Sequence, residues 1–294
     1  MPATRIFSTV AAAALGAMLS APAAAQTQAP PDPPTTSGDR VTIAVGAASL
    51  PDYEGADSNS WTPGAAVIGE VAGHSFFTRG TQLYVDLLPD APGPGVHVEL
   101  GVIAGARLER TGKPDDYDRN DMGSQMVARL GKVDTAIEVG GFVGVSKQGV
   151  ITSEFDTLTA RVAFVHDVAD AYGSYVITPQ INYATPLSRG TLVSFGASAD
   201  YVGKGYGRTY FSVTPAQSLA SGLRVYDASD NGFKRFNLSA FAIQSLSGNL
   251  LRGLGVGAGV VYGRLLGRYK DSPIVRDVGA ADQWMFAAGL TYTF

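Results

Sequence analysis

The chain closes on Gln283-Trp284-Met285-Phe286-Ala287-Ala288-Gly289-Leu290-Thr291-Tyr292-Thr293-Phe294. Trp284, Phe286, Ala288, Leu290, Tyr292 and Phe294 fall on one face, and Gln283, Met285, Ala287, Gly289, Thr291 and Thr293 on the other. A period of two predicts a strand, because successive side chains leave a pleated backbone on opposite sides. The apolar face is unbroken and aromatic near its ends. The second face carries small and polar groups and no charge. A soluble strand would set charges on that face to meet water. This one suits a sheet whose apolar side meets lipid and whose other side lines a narrow wet lumen.

The same pattern recurs upstream. Tyr175, Ile177, Pro179, Ile181 and Tyr183 alternate with Ser174, Val176, Thr178, Gln180 and Asn182. Val193, Phe195, Ala197, Ala199 and Tyr201 alternate with Ser194, Gly196, Ser198 and Asp200. Leu254, Val256, Ala258, Val260 and Tyr262 alternate with Gly255, Gly257, Gly259 and Val261. Further strands are predicted near 41–48, 62–72, 76–88, 95–109, 135–147, 150–167 and 233–246, with turns at 73–75, 89–95, 147–149, 186–190 and 247–249. No segment predicts an amphipathic helix of three turns. The fold class is therefore all-β, an antiparallel transmembrane β-barrel of outer-membrane type. An open sheet edge is too costly in hydrocarbon, so the sheet must close.

Composition agrees. Of 294 residues 36 are Gly, and charged residues make up 16%, against about 25% in an ordinary soluble domain. The chain has no Cys, which excludes a disulfide scaffold and a Cys-ligated metal site. A net charge of −4 gives no support to nucleic acid as a partner.

Eleven strands are directly legible. Single-chain bacterial barrels have an even number, with both termini on the periplasmic side. Counting back from Phe294 and forward from Arg40 disagrees by one strand across 110–134: either a twelfth strand lies there or one forward strand is misassigned, and twelve strands are expected.

Residues 1–25 read as a secretory signal peptide. Arg5 supplies the positive end, Phe7–Leu19 the apolar core, and Ala23-Ala24-Ala25 the small residues for cleavage after Ala25. Residues 26–40 read as a Pro-rich periplasmic tail, with Pro30, Pro31, Pro33 and Pro34. The barrel is expected over 41–294. Phe294, preceded at every second position by Tyr292, Leu290, Ala288 and Phe286, is the kind of ending that barrel-assembly machinery reads. Location in the outer membrane, with its lipid and lipopolysaccharide as surroundings, follows from these features together.

Short motifs add a resemblance. Pro51-Asp52-Tyr53-Glu54-Gly55 follows the first strand, with Pro63 beyond it. Then come Tyr210-Phe211-Ser212-Val213, Asn231-Gly232-Phe233-Lys234, Asp271-Ser272-Pro273-Ile274-Val275 and the closing Gly289-Leu290-Thr291-Tyr292-Thr293-Phe294. In this order, over about 40–294, the chain resembles the MipA/OmpV family of outer-membrane proteins, also called MltA-interacting proteins. Ser212 and Phe233 depart from the family's pattern. The resemblance implies a non-enzymatic barrel, a scaffold between a murein transglycosylase and a murein synthase or a surface-interaction protein. It brings no catalytic residues.

The residues themselves offer little chemistry. His97 and Glu99 share a strand face and suit a base and its helper, but no Ser stands at a recognisable nucleophile position. Asp116-x-Asp118-x-Asn120 starts like a calcium loop, yet Asp121 replaces the required Gly and Val127 the closing Glu. Gly255-x-Gly257-x-Gly259 lacks the strand–turn–helix setting of a dinucleotide site. No cofactor or metal is expected. The informative set is a polar lumen network of His97, Glu99, Arg107, Glu138, Arg161 and Asp200, all on inward parity. Charges of both signs there pair to fill the barrel, or line a passage. A small diffusion channel and a barrel hydrolase acting on lipid or lipopolysaccharide are the rival functions.

Overall fold

A computed structural model describes residues 39–89, 95–110 and 122–294. The signal peptide, nearly all of the Pro-rich tail and the calcium-like Asp116–Asp121 stretch lie outside the described residues. Twelve strands close into one antiparallel barrel. In chain order they are β1 (Arg40–Pro51), β2 (Asn59–Val71), β3 (His74–Arg79), β4 (Gln82–Asp86), β5 (Val96–Arg107), β6 (Ala136–Gln148), β7 (Thr157–Asp167), β8 (Tyr175–Ser188), β9 (Thr191–Val202), β10 (Gly232–Ser245), β11 (Gly253–Leu265) and β12 (Asp282–Thr293). Each pairs with its sequence neighbours, and β1 closes on β12. Among the described residues no helix is long and apolar enough to cross a membrane.

The twelfth strand is not where the two counts disagreed. The stretch expected as one strand over 76–88 is the hairpin β3–β4, turned at Gly80-Thr81 with Gly80 at φ 57°. Gly80-Thr81 is a two-residue hairpin signal, set within the polar stretch Thr78–Gln82. Within 110–134 the described part holds a helix, α1 (Met122–Ala128). The strand expected over 150–167 also starts late, at Thr157. Asp156 bends the chain before it, accepting hydrogen bonds from the amides of Val150 (2.6 Å), Ile151 (2.9 Å) and Thr152 (2.5 Å). A side chain that satisfies three consecutive amides competes with the ladder for them.

Parity holds round the barrel. On β12 Trp284, Phe286, Leu290 and Tyr292 face outward and are exposed, while Gln283, Met285, Thr291 and Thr293 are buried inside. Aromatic pairs on the outer surface mark the level of the rims. Tyr262 and Trp284 lie 5.0 Å apart at the rim away from the termini, and Tyr292 and Phe294 lie 4.8 Å apart at the near rim, which holds both described ends.

Closure rests on glycine. Gly64, Gly46, Gly289 and Gly257 stand opposite one another on β2, β1, β12 and β11, all on the inward face. A Cβ on Gly46 would lie 2.2 Å from the Ala288 carbonyl oxygen, and one on Gly289 2.4 Å from that of Val45. A Cβ on Gly64 meets nothing within 4 Å. Gly289→Ala should therefore force the seam apart and destabilise the barrel by about 1–3 kcal/mol, whereas Gly64→Ala should leave it unchanged. The temperature at which the folded, fast-migrating gel band disappears would report both. Equal behaviour of the two variants would dismiss the seam argument.

Candidate functional site

The far rim is not an open mouth. Its loops fold inward as short helices: α2 (Lys204–Tyr210) and α3 (Pro215–Ser221) between β9 and β10, and α4 (Gly267–Lys270) and α5 (Pro273–Arg276) between β11 and β12. Thr214 and Gln217 form a capping box on α3, and Gly222 closes it in the left-handed region at φ 81°. α2 can lie deep because Gly205 and Gly207 replace side chains where the Tyr172 and Ala228 carbonyls approach. The loops are tied together across the mouth. The Tyr53 hydroxyl donates to the Val278 carbonyl (2.9 Å), and Gln283 Nε2 to those of Ala56 (2.7 Å) and Ala280 (2.8 Å).

Under these loops the lumen is filled by one polar network. Glu138, with 0% exposure, accepts from Arg107 Nε (2.6 Å), Gln82 Nε2 (2.6 Å) and the Tyr172 hydroxyl (2.7 Å). The Tyr206 hydroxyl accepts from Lys234 Nζ (3.0 Å) and Arg107 Nη1 (3.3 Å) and donates to Glu54 Oε2 (2.7 Å). Lys234 Nζ lies 2.6 Å from Glu54 and 3.7 Å from Asp200. Arg235 reaches Asp200 at 3.3 Å and Glu54 at 3.5 Å. Thr178 donates to Asp200 (3.0 Å). Lower in the lumen Arg161 Nε meets Glu99 at 2.6 Å and lies over the rings of Phe77 and Phe142. Opposite charges removed from water need this degree of pairing to be tolerated at all.

The loop carboxyls are tuned in opposite directions. Burial pushes Glu54 up, but Lys234 and Arg235 outweigh it and hold the group below the usual carboxylate range. Glu109 accepts the Glu54 amide at 2.7 Å, and that bond, with the Arg110 and Arg107 charges, does not offset its burial. Burial and the Glu54 charge push it up to about 7. Burial also raises the hydroxyls of Tyr172, Tyr206 and Tyr210, so they remain donors.

Of the six lumen residues expected from sequence, Glu99 meets Arg161, Arg107 meets Glu138, and Asp200 meets Lys234 and Arg235. His97 lies half-buried at the near-rim end of β5, away from these pairs. Ser146 is its register partner on β6, a neighbour the linear sequence did not offer. Phe286, Leu290, Tyr292 and Phe294 line the outer face of the last strand, and the Phe294 amide donates to the Val41 carbonyl (2.9 Å). Sequence reading missed Lys234, Arg235, Glu54, Glu109 and Tyr206. A bulge between Phe233 and Arg235 turns two consecutive cations inward, against strict alternation. The signal was the Lys-Arg pair itself, which no lipid-facing position would hold.

Toward the near rim lies a small recess, open to solvent and lined by Arg40, Ile68, Leu192, Ile243, Thr291 and Thr293 among others. Among the described residues no cluster of three His, Asp or Glu is placed to hold a metal ion.

The sequence matches a family model described as MltA-interacting protein MipA over residues 43–294. No curated protein matches the chain. Solved structures with a similar barrel include the outer membrane channel DcaP of Acinetobacter baumannii, at 10% identity and a TM-score of 0.37, over 90% of this chain and 100% of that one. An outer membrane channel from Pseudomonas putida F1 matches at 10% identity and 0.40, over 90% and 99%. The Pseudomonas putida toluene transporter TodX matches at 8% identity and 0.36, over 92% and 96%.

Proposed function

The chain belongs to the MltA-interacting protein MipA family, and from that premise we propose that it is a non-enzymatic outer-membrane barrel acting as a scaffold for cell-wall machinery. A murein transglycosylase and a murein synthase are the partners this reading names. The barrel would be exported by its leader, cleaved after Ala25, and inserted by assembly machinery that reads the Phe294 strand. The near rim would face the periplasm and the plugged rim the lipopolysaccharide surface.

The observation that carries this reading is the sealed far mouth. Glu138, Tyr206 and Lys234 each have 0% exposure at its centre. A through-channel needs a continuous wet path, and here paired charges and tyrosines fill it. Work is then left to the surfaces. The near-rim recess favours a channel as the second reading, but its lining includes none of Glu138, Tyr206 and Lys234. A hydrolase would need His97 to activate a nucleophile, and Ser146 is its register partner on β6.

The native protein in planar bilayers should show no discrete current steps, and crosslinking in intact envelopes should capture a murein hydrolase or synthase. Steady single-channel conductance without murein partners would replace the scaffold by the channel.

A further inference from the structure

The barrel wall has a gap on its lipid side. β2 pairs with β1 from Asn59 to Glu70, but with β3 only from Ile68 to Val71. Above that level Val67 is the last residue held, its amide donating to Thr78 Oγ1 (3.0 Å) and its carbonyl accepting from it (3.3 Å). The amide and carbonyl of one antiparallel residue face the same neighbour, and the direction alternates along the strand. Trp61, Pro63 and Ala65 therefore share Val67's direction, where among the described residues no strand pairs with them. Pro63 stands where its missing amide costs nothing, as proline on an edge does. The short hairpin β3–β4, ending at Gly80-Thr81, forms the sill of this window.

The window opens on space. Gly64, on the inward face between Thr62 and Ala66, is exposed and has nothing within 4 Å of a notional Cβ. Gly46, its register partner on β1, is packed against the Ala288 carbonyl, so the open space is confined to the β2 side of the seam.

At the sill sits an incompletely satisfied cation. Arg79 ends β3, points inward and is 5% exposed. Its Nη1 donates to Gln180 Oε1 at 3.4 Å, and its Nε has no partner. Among the described residues no carboxylate pairs with it. Asp200 lies within its field but is already held by Lys234 and Arg235. Gln180 Nε2, Arg235 Nε, Asn237 Oδ1 and Ser239 Oγ are also buried without partners. Register joins Gln180 to Ser198 and Ser198 to Asn237, so these atoms form one belt round the lumen. Buried polar atoms in native proteins are almost always satisfied, and three of these five are N–H donors. The belt is short of an acceptor.

We propose that the window and the Arg79 seat bind a membrane-borne anionic amphiphile, with a carboxylate or phosphate head and a single acyl tail, entering sideways from the bilayer. The head would take the free donors of Arg79 and Gln180, a planar fork suited to either oxyanion. The tail would pass over Gly64 into the lipid. The plugged far mouth leaves the side of the barrel as the route for such a molecule. This proposal concerns the lipid face and stands apart from the scaffold reading.

The test uses the full protein in phosphatidylcholine nanodiscs, with radiolabelled hexadecanoate and dodecyl phosphate as probes. Both should bind saturably. Arg79→Gln should weaken both at least tenfold, and Gly64→Leu, which fills the window without touching the seat, should slow or abolish uptake. Hexadecanol should show no saturable binding, and excess acetate or inorganic phosphate should not compete. Retained heat-modifiable migration shows that each variant folds; if Arg79→Gln does not, Arg79→Lys keeps the charge without the fork and Gly64→Leu stands alone. Non-saturable uptake, equal binding of hexadecanol, or indifference to both substitutions would overturn the proposal and leave a merely hydrated chamber. Competition by acetate or inorganic phosphate would assign the seat to a small aqueous anion entering from the near rim, which also overturns it.

Discussion

Lys234→Ala is expected to lower the stability of the barrel by about 3–5 kcal/mol, the usual cost of removing one partner from a buried ion pair. Lys234 Nζ serves Glu54, Asp200 and the Tyr206 hydroxyl at once. Its loss leaves two buried carboxylates sharing Arg235 alone. Truncation also empties the volume of a side chain that has 0% exposure. The effect should be felt first in the loops, because Glu54 and Tyr206 belong to them and Lys234 to the wall. The urea midpoint of the variant's heat-modifiable transition should fall steeply. Current steps should appear in planar bilayers as α2 loosens. The double variant Lys234→Met with Glu54→Gln removes charge on both sides and should recover part of the loss. A drop of less than about 1 kcal/mol in the single variant, the level of an exposed pair, would show that the network does not hold the plug.

How far this was legible in sequence depends on whether the information is periodic. Strand faces are. Trp284, Phe195 and Val256 were placed outward, and Glu99, Glu138 and Arg161 inward, by counting in twos. The pairing of Glu99 with Arg161 follows from neighbouring registers that put Gly144 between them. What breaks the period was lost. One residue of bulge brought Lys234 in beside Arg235. One tight turn at Gly80 cut the stretch expected as a single strand over 76–88 into two. The plug was wholly invisible, because α2 and α3 are short, span Lys204–Tyr210 and Pro215–Ser221, and draw their order from tertiary packing rather than helix propensity. Tyr206 and Tyr210 gave no local sign of being inside. Their rings meet at 4.7 Å, tilted by 55°, only after the loop has turned back into the lumen. The same limit applies to the window. Pro63 is a readable edge signal, but the absent partner strand is a fact about the length of β3.

Stability should also depend on pH through Glu109. Its folded-state value of about 7 lies above the ordinary 4.5, so between the two the folded chain keeps a proton that the unfolded chain has released. Stability then falls as pH rises. The contribution is fully present below about 4.5 and lost as pH passes through about 7, a swing of about 3 kcal/mol at 1.36 kcal/mol per unit. Physically, a neutral Glu109 accepts the Glu54 amide without opposing the Glu54 carboxylate. An ionised one sets two buried like charges against each other where the first loop meets the end of β5. Glu54 shifts the other way and would hide part of the slope, so the useful quantity is a difference. Glu109→Gln should match the native protein near pH 4 and exceed it by about 3 kcal/mol near pH 8. Urea titrations of both proteins at those two pH values measure it. A gap that stays the same at both would mean that Glu109 titrates alike in the folded and the unfolded chain, and that burial beside Glu54 does not shift it.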